Sequence, residues 1–157
     1  SFNVDIIADT ADISAGQAID RAGVMIGLKF PCGKEIESLA RHHNGKLPPI
    51  KVSVNNGKVN FSGLENISNK LYGETNDKSL VSAYVLSFVS KTLVKLTGDI
   101  REKYPLVPIL YAGGVMSNSI IKNMLSPLGN VCFAQPAFSA DNAAGIALLC
   151  RKNLTVK

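Results

Sequence analysis

The chain has 157 residues, 46% of them hydrophobic and 18% charged, which suits one compact domain or one lobe of a larger protein and excludes a disordered segment. No apolar run approaches the ~20 residues that span a bilayer, no signal peptide is visible, and the missing initiating Met fits processing, a tag remnant or a fragment. The formal charge of +5 suits a nucleic acid or a nucleotide phosphate as partner, and it equally suits a merely soluble basic domain, because the Lys and Arg residues form no block.

In chain order, residues 4–8 (VDIIA) read as a short strand. Asp12 offers an N-cap for a helix running to about residue 26, with Ile13, Ala18, Ile19, Ala22 and Met25 spaced for one apolar face. Pro31 breaks the chain, and Gly33 opens a second helix, residues 34–43, ended by Asn44 and Gly45. The alternating stretch IKVSVNNGKVNFSG predicts a hairpin with strands 51–54 and 58–61, because an Asn-Gly pair accepts the positive φ angles of a tight turn. A helix over residues 64–72 and a polar link precede the longest helix, residues 79–103, in which Leu80, Val81, Tyr84, Val85, Phe88, Leu93, Leu96 and Ile100 recur at helical steps. The apolar run LVPILYA, residues 106–112, reads as a buried central strand of a parallel sheet. A helix over 117–125, a strand over 131–134 and a last helix from about 141 to 152 follow. The order of elements is α/β with a helical portion at the front. Cys32, Cys132 and Cys150 match neither a disulfide framework nor a zinc pattern, so a reduced, cytosolic setting and mostly buried structural thiols are expected.

Three segments can carry chemistry. In LYAGGVMSN a strand ends in Gly113 and Gly114 and a helix begins just after. Glycines let a ligand approach the backbone, and the first helical amides carry partial positive charge toward it. The same pattern also serves as an ordinary tight turn. In PAFSADNAAG, Asp141 is either a helix cap or a metal ligand. In AIDRAG, followed by CGKEIE, Asp20 lies in one helix and Glu35 and Glu37 in the next; such an acid either accepts bonds from ribose hydroxyls or faces solvent. His42 and His43 are adjacent and do not share a helix face, so they suit a solvated helix end better than a metal. No G-x-S-x-G or HExxH setting appears.

Taken in order, AGQAIDRAGVMIGLKFPCGKEIESLA, NFSGL, LYAGGVMSN and PAFSADNAAGIALL resemble the glycoprotease family, which includes the tRNA threonylcarbamoyladenosine transferases. The similarity extends from about Ala8 to Cys150, and the order and spacing of the four segments carry it more than any one of them. The resemblance implies one lobe of an actin-like ATPase (ribonuclease H-like) fold: a C-terminal lobe over residues 1–157, with a helical segment over 1–50 and an ATPase-fold subdomain over 51–157. It implies that Asp20, Gly33 and Glu37 contact the nucleoside part of a ligand, that Gly113, Gly114 and Asn118 form another wall, and that Asp141 is a metal ligand. The implied cofactors are ATP or an adenylate intermediate and one divalent metal (Fe, Zn or Mg). The implied partners are tRNA and a family-member protein or a second copy, with no membrane and a cytoplasmic location. The implied reaction is threonylcarbamoyl transfer to a tRNA adenosine.

The chain also departs from the family pattern. An H-x-x-x-H pair, which the family supplies from a more N-terminal region, is missing. Gln17 stands where Glu is usual, Cys32 replaces the first glycine of a Gly-Gly pair, Ala140 stands in place of Thr, and Glu65 in place of Lys. These features fit a divergent bacterial paralogue. The isolated chain is expected to be inert, and the alternatives are a non-catalytic partner or assembly module and a small-molecule kinase on the same fold. Nothing in these residues supports the peptidase activity that the family's older name implies.

Overall fold

A computed structural model describes residues 4–139 and 143–154. It is a mixed α/β arrangement of six helices, a three-stranded sheet and a two-stranded sheet. The first helix, α1 (Ala15–Met25), is capped by Ser14 rather than Asp12. Ser14 Oγ accepts from Gln17 N (3.2 Å) and Gln17 Oε1 accepts from Ser14 N (2.9 Å), a reciprocal pair that satisfies two otherwise orphaned donors. A serine two residues on outcompetes Asp12 because only Ser14 has Gln17 at the reciprocal position. Helix α2 (Gly33–His42) follows as expected.

Residues 4–8 carry no regular structure; the strand is instead β1 (Asp9–Thr10), which pairs parallel with β3 (Lys58–Val59). The hairpin of β2 (Val54–Asn55) and β3 forms around Asn56 (φ 51°) and Gly57 (φ 74°), the two positive angles that this turn requires. Its strands are shorter than the alternating pattern suggested. A Cβ on Gly57 would stand 2.6 Å from the Ile7 carbonyl oxygen, so the glycine also makes room for the incoming chain. Helix α3 (Gly63–Thr75) ends at Asn76, which adopts the left-handed conformation.

Helix α4 (Lys78–Lys103) is the centre of the core. Val81, Val85, Leu86 and Val89 are wholly buried, and α1, α2, α3 and α5 (Ser119–Leu125) all pack on it. Two of its buried hydroxyls bond back to the helix: Ser90 donates to the Leu86 carbonyl and Thr92 to that of Phe88. By length and composition α4 could cross a bilayer, a property hidden in the sequence by the interspersed Ser, Thr and Lys residues; 56% of its most apolar window is buried inside the protein, as befits a core helix. Burying its fully covered Val and Leu side chains stabilises the fold by roughly 1.5–3 kcal/mol each.

The run 106–112 is not a buried central strand. Only β4 (Ile109–Tyr111) is extended, and among the described residues its one partner is β5 (Val131–Phe133), paired parallel. One face is covered: Tyr111 stacks on Phe133 with ring centroids 5.2 Å apart, and its hydroxyl meets Thr97 of α4. The other face is open, with Leu110 67% and Leu106 88% exposed. A continuous apolar run cannot report how many partner strands a sheet has, and among the described residues there is one. The last helix, α6, spans Ala143–Leu154.

Candidate functional site

Six of the seven residues singled out in the sequence lie on a loop of chain segments closed by two hydrogen-bonded joints and one close approach. Gly16, in the first turn of α1, has Val115 Cγ2 3.5 Å from where a Cβ would stand. One turn further, Asp20 Oδ1 accepts from the backbone N–H of Cys32 at 2.8 Å. Gly33 is the next residue and opens α2. One turn along α2, Glu37 Oε1 accepts from Ser119 N (3.1 Å), from Ser119 Oγ and from Arg41 Nη2 (3.0 Å). Asn118 precedes Ser119 and caps α5, its Oδ1 accepting from Ile120 N (3.0 Å) and Ile121 N (3.1 Å). A 3-10 turn over Gly114–Ser117 leads into Asn118 and contains Val115, which returns to Gly16. Gly113, with φ at 104°, immediately precedes that turn. The sixth, Gly114, is its first residue. The seventh, Asp141, lies outside the described residues.

The geometry departs from the sequence expectation at two points. The helix after the paired glycines does not start at residue 117; the 3-10 turn intervenes, and α5 starts at Ser119. Its first three amides are satisfied within the chain, Ser119 by Glu37 and the next two by Asn118, so they do not point at a ligand. Glu37 Oε1 is engaged within the chain, by Ser119 and Arg41. Burial pushes its carboxyl up, but the bonds from Ser119 and Arg41 outweigh this and hold it below the usual carboxylate range. Arg41 was visible in the sequence as the i+4 partner of Glu37; Ser119 offered no signal beyond following Asn118.

The backbone around this loop is open where a ligand would need room. A Cβ on Gly33, Gly113 or Gly114 would meet nothing within 4 Å. A shallow hollow of about 420 Å³ is lined by Asp20 together with Gln17, Arg21, Val24, Met25, Phe30 and Glu65. There Arg21 and Glu65 form an exposed ion pair at 3.4 Å, worth little by itself. Gly33, Glu37, Gly113, Gly114 and Asn118 do not line this hollow.

Among the described residues no group of three or more His, Cys, Asp and Glu side chains could hold a metal ion. His42 bonds back to the Ser38 carbonyl at 2.7 Å.

The expectation of mostly buried thiols holds for Cys32 alone; Cys132 and Cys150 are exposed. Burial pushes the Cys32 thiol up, and the charges of Asp20 and Glu35 push it further. An alkylating reagent added to the native chain is therefore expected to modify Cys132 and Cys150 and to spare Cys32 until denaturant is added. Intact-mass measurement before and after unfolding checks this, and labelling of Cys32 at the rate of the other two would contradict it.

Residues 2–148 match the sequence model of the family described as TsaD, tRNA N6-adenosine threonylcarbamoyltransferase. Among curated proteins the chain is similar to tRNA N6-adenosine threonylcarbamoyltransferases from Moorella thermoacetica (32% identical over 155 residues, covering 90% of this chain and 45% of that protein) and Streptococcus suis (31% over 156 residues, 91% and 46%). A third, from Lactiplantibacillus plantarum, is 31% identical over 129 residues, covering 77% of this chain and 37% of that protein. The chain thus spans less than half the length of these relatives.

Proposed function

The chain belongs to the tRNA N6-adenosine threonylcarbamoyltransferase (TsaD) family, and from that premise we propose that it is the nucleotide-binding, C-terminal half of a protein that transfers a threonylcarbamoyl group to a tRNA adenosine. On this reading the fold is one lobe of an actin-like ATPase, with residues 1–50 as its helical segment and 51–157 as the ATPase-fold subdomain. A cytoplasmic location follows from tRNA as substrate. The observation that supports the reading is the loop of chain segments joining Asp20, Gly33, Glu37, Asn118 and the Gly113–Gly114 turn, with free space beside all three glycines. Backbone without side chains can approach an adenylate closely. Asp20 holds the Cys32 amide, and through it the start of α2, in place beside that space.

A divalent metal, when bound, would neutralise phosphate and carboxylate charge on the ligand. Asp141 is the residue of this chain that the family pattern offers to it. Leu106, Leu110, Ile146 and Leu148 are more than half exposed, and that apolar surface favours a covering partner, either further polypeptide of the same protein or a second copy.

The glycines give a clean test. Beyond the adjoining backbone, a Cβ at position 33 or 114 meets nothing within 4 Å, so a valine there should leave the fold standing while obstructing a closely packed ligand. Titrating the intact polypeptide with ATP by calorimetry, we expect Gly33→Val and Gly114→Val each to weaken binding about tenfold or more, with melting temperatures near that of the parent. Parent-like ATP affinity in both variants would remove the proposed site.

A further inference from the structure

We propose that a second hollow, between α3 and the segment containing Pro48 and Pro49, docks an extended acidic stretch of a partner protein and seats one of its large apolar side chains. None of the residues involved belongs to the nucleotide site proposed above, so the two stand or fall separately. The hollow measures about 410 Å³, within the ~300–1,000 Å³ range of ligand pockets. Pro48 and Pro49 contribute one side, and Ile67 and Leu71 of α3 another. Tyr84 of α4 also lines it and is only 4% exposed, so it forms the floor.

Tyr84 supplies an unused donor there. Its hydroxyl is not sealed from solvent and makes no hydrogen bond among the described residues. Burial pushes the phenol pKa up, so the group stays protonated at neutral pH and can donate. Polar groups in buried residues are normally paired, and here the acceptor must come from outside the chain. The apolar sides suit hydrocarbon, and the floor suits a peptide carbonyl.

The rim selects charge. Lys51 lines the hollow, is exposed and has no ion pair among the described residues. Lys70 meets Glu74 at 3.9 Å, with both side chains largely in water. Two lysines against one glutamate favour a carboxylate beside the seated side chain.

The neighbouring backbone selects an extended chain. From Ile50 to Val54 burial alternates: Ile50 and Val52 pack against the core, while Lys51 and Ser53 are exposed, the pattern of a strand. Yet pairing begins only at Val54, and residues 46–53 make no backbone–backbone hydrogen bond among the described residues. Lys51 belongs both to this stretch and to the hollow. A peptide laid along it gains main-chain bonds while its side chain enters the hollow, the mode of strand addition. A free small molecule would have the hollow alone, with a rim open to water.

The test titrates the intact polypeptide, by fluorescence polarisation, with a labelled peptide that alternates valine and glutamate around a central phenylalanine. The parent should bind it saturably, with Kd on the order of 100 µM, and more weakly as salt is raised. Alanine in place of the peptide's phenylalanine, or Ile67→Glu in the protein, should each weaken binding about tenfold or more. Tyr84→Phe removes only an oxygen that bonds to nothing in the chain, and it should weaken binding about threefold to tenfold, the contribution of one hydrogen bond, with an unchanged melting curve. The proposal is overturned if the parent does not bind the peptide, if the alanine peptide binds as well, or if Ile67→Glu or Tyr84→Phe binds as the parent does. It is also overturned if the parent takes a uridine oligonucleotide at this rim in place of the peptide. A parent mass that rises with concentration in sedimentation, and no longer does so in Ile67→Glu, would assign the surface to a second copy and overturn it too. Should Tyr84→Phe not fold, Ile67→Glu, at a position 40% exposed, decides alone.

Discussion

Gly23→Ala should destabilise this protein by about 2–3 kcal/mol, toward the upper end of the usual cost of overpacking a core. Alanine is the better helix former by up to ~1 kcal/mol, so propensity alone predicts the reverse. The contact decides it. A Cβ on Gly23 would stand 2.3 Å from Cys32 Cβ and 2.6 Å from its Sγ, far inside the ~3.5–4.0 Å at which carbon atoms pack. Cys32 is wholly buried, and its Cβ is fixed to the backbone whose N–H bonds to Asp20. Nothing flexible can give way, so α1 and the start of α2 must separate. At roughly 2–4 °C per kcal/mol for a chain of this size, the melting temperature should fall by about 4–12 °C. Cys32→Gly in the same chain should recover most of the loss, because it removes the obstructing Cβ. Favourable coupling between the two substitutions of about 1 kcal/mol or more in a double-mutant cycle is expected. A Gly23→Ala variant that melts with the parent would show that α1 and α2 are further apart than described.

That pair shows what the sequence could and could not convey. The resemblance marked Cys32 as a departure from a Gly-Gly pair, but only the packing shows where the displaced space is found, at a glycine one helix earlier. Local signals were read well where they are complete in a few residues. The Asn56-Gly57 hairpin, the α2 start at Gly33 and the length of α4 all follow from turn chemistry and helical periodicity. Contacts across the chain were not legible. Asp12 looked like a cap for the helix just after it, and no local pattern could reveal that its partners lie some fifty residues away. The run 106–112 announced a strand, yet one open face and one partner strand are properties of the sheet. At the candidate site, residue type and order pointed to Asp20 and the paired glycines, and the family resemblance added Gly33 and Asn118. The pairing of Glu37 with Ser119 depends on the relative placement of α2 and α5, which local spacing does not encode.

Asp12 carries the second large effect. Its Oδ1 accepts from Ile13 N (2.7 Å) and Phe61 N (2.9 Å), and its Oδ2 from Ser62 N (2.9 Å) and Phe61 N (3.1 Å). Ser62 is the N-cap of α3 and makes no side-chain cap bond of its own. Asp12 therefore supplies from a distance the negative charge that favours a helix N-terminus, and it joins the β1–α1 loop to α3 beside the buried Phe61 and Leu64. Asp12→Ala should cost about 1–2 kcal/mol, the range for loss of a helix cap, since water can reach the vacated amides only in part. Asp12→Asn keeps one acceptor oxygen and should cost about half as much. The pH dependence separates charge from shape. Loss of hydrating water would raise the carboxyl pKa, but the bonds from Phe61, Ser62 and Ile13 prevail and hold it well below the usual carboxylate range. A folded-state pKa below the unfolded value of about 3.9 means that the stabilisation is complete above that value and is lost as pH falls toward the folded one. The stability gap between the parent and Asp12→Asn, measured by urea unfolding, should be constant from about pH 7 to pH 5 and narrow below about pH 4. Because every other carboxyl titrates alike in both proteins, a gap that stays flat to pH 3, or widens, would mean that the charge on Asp12 contributes nothing to holding α3.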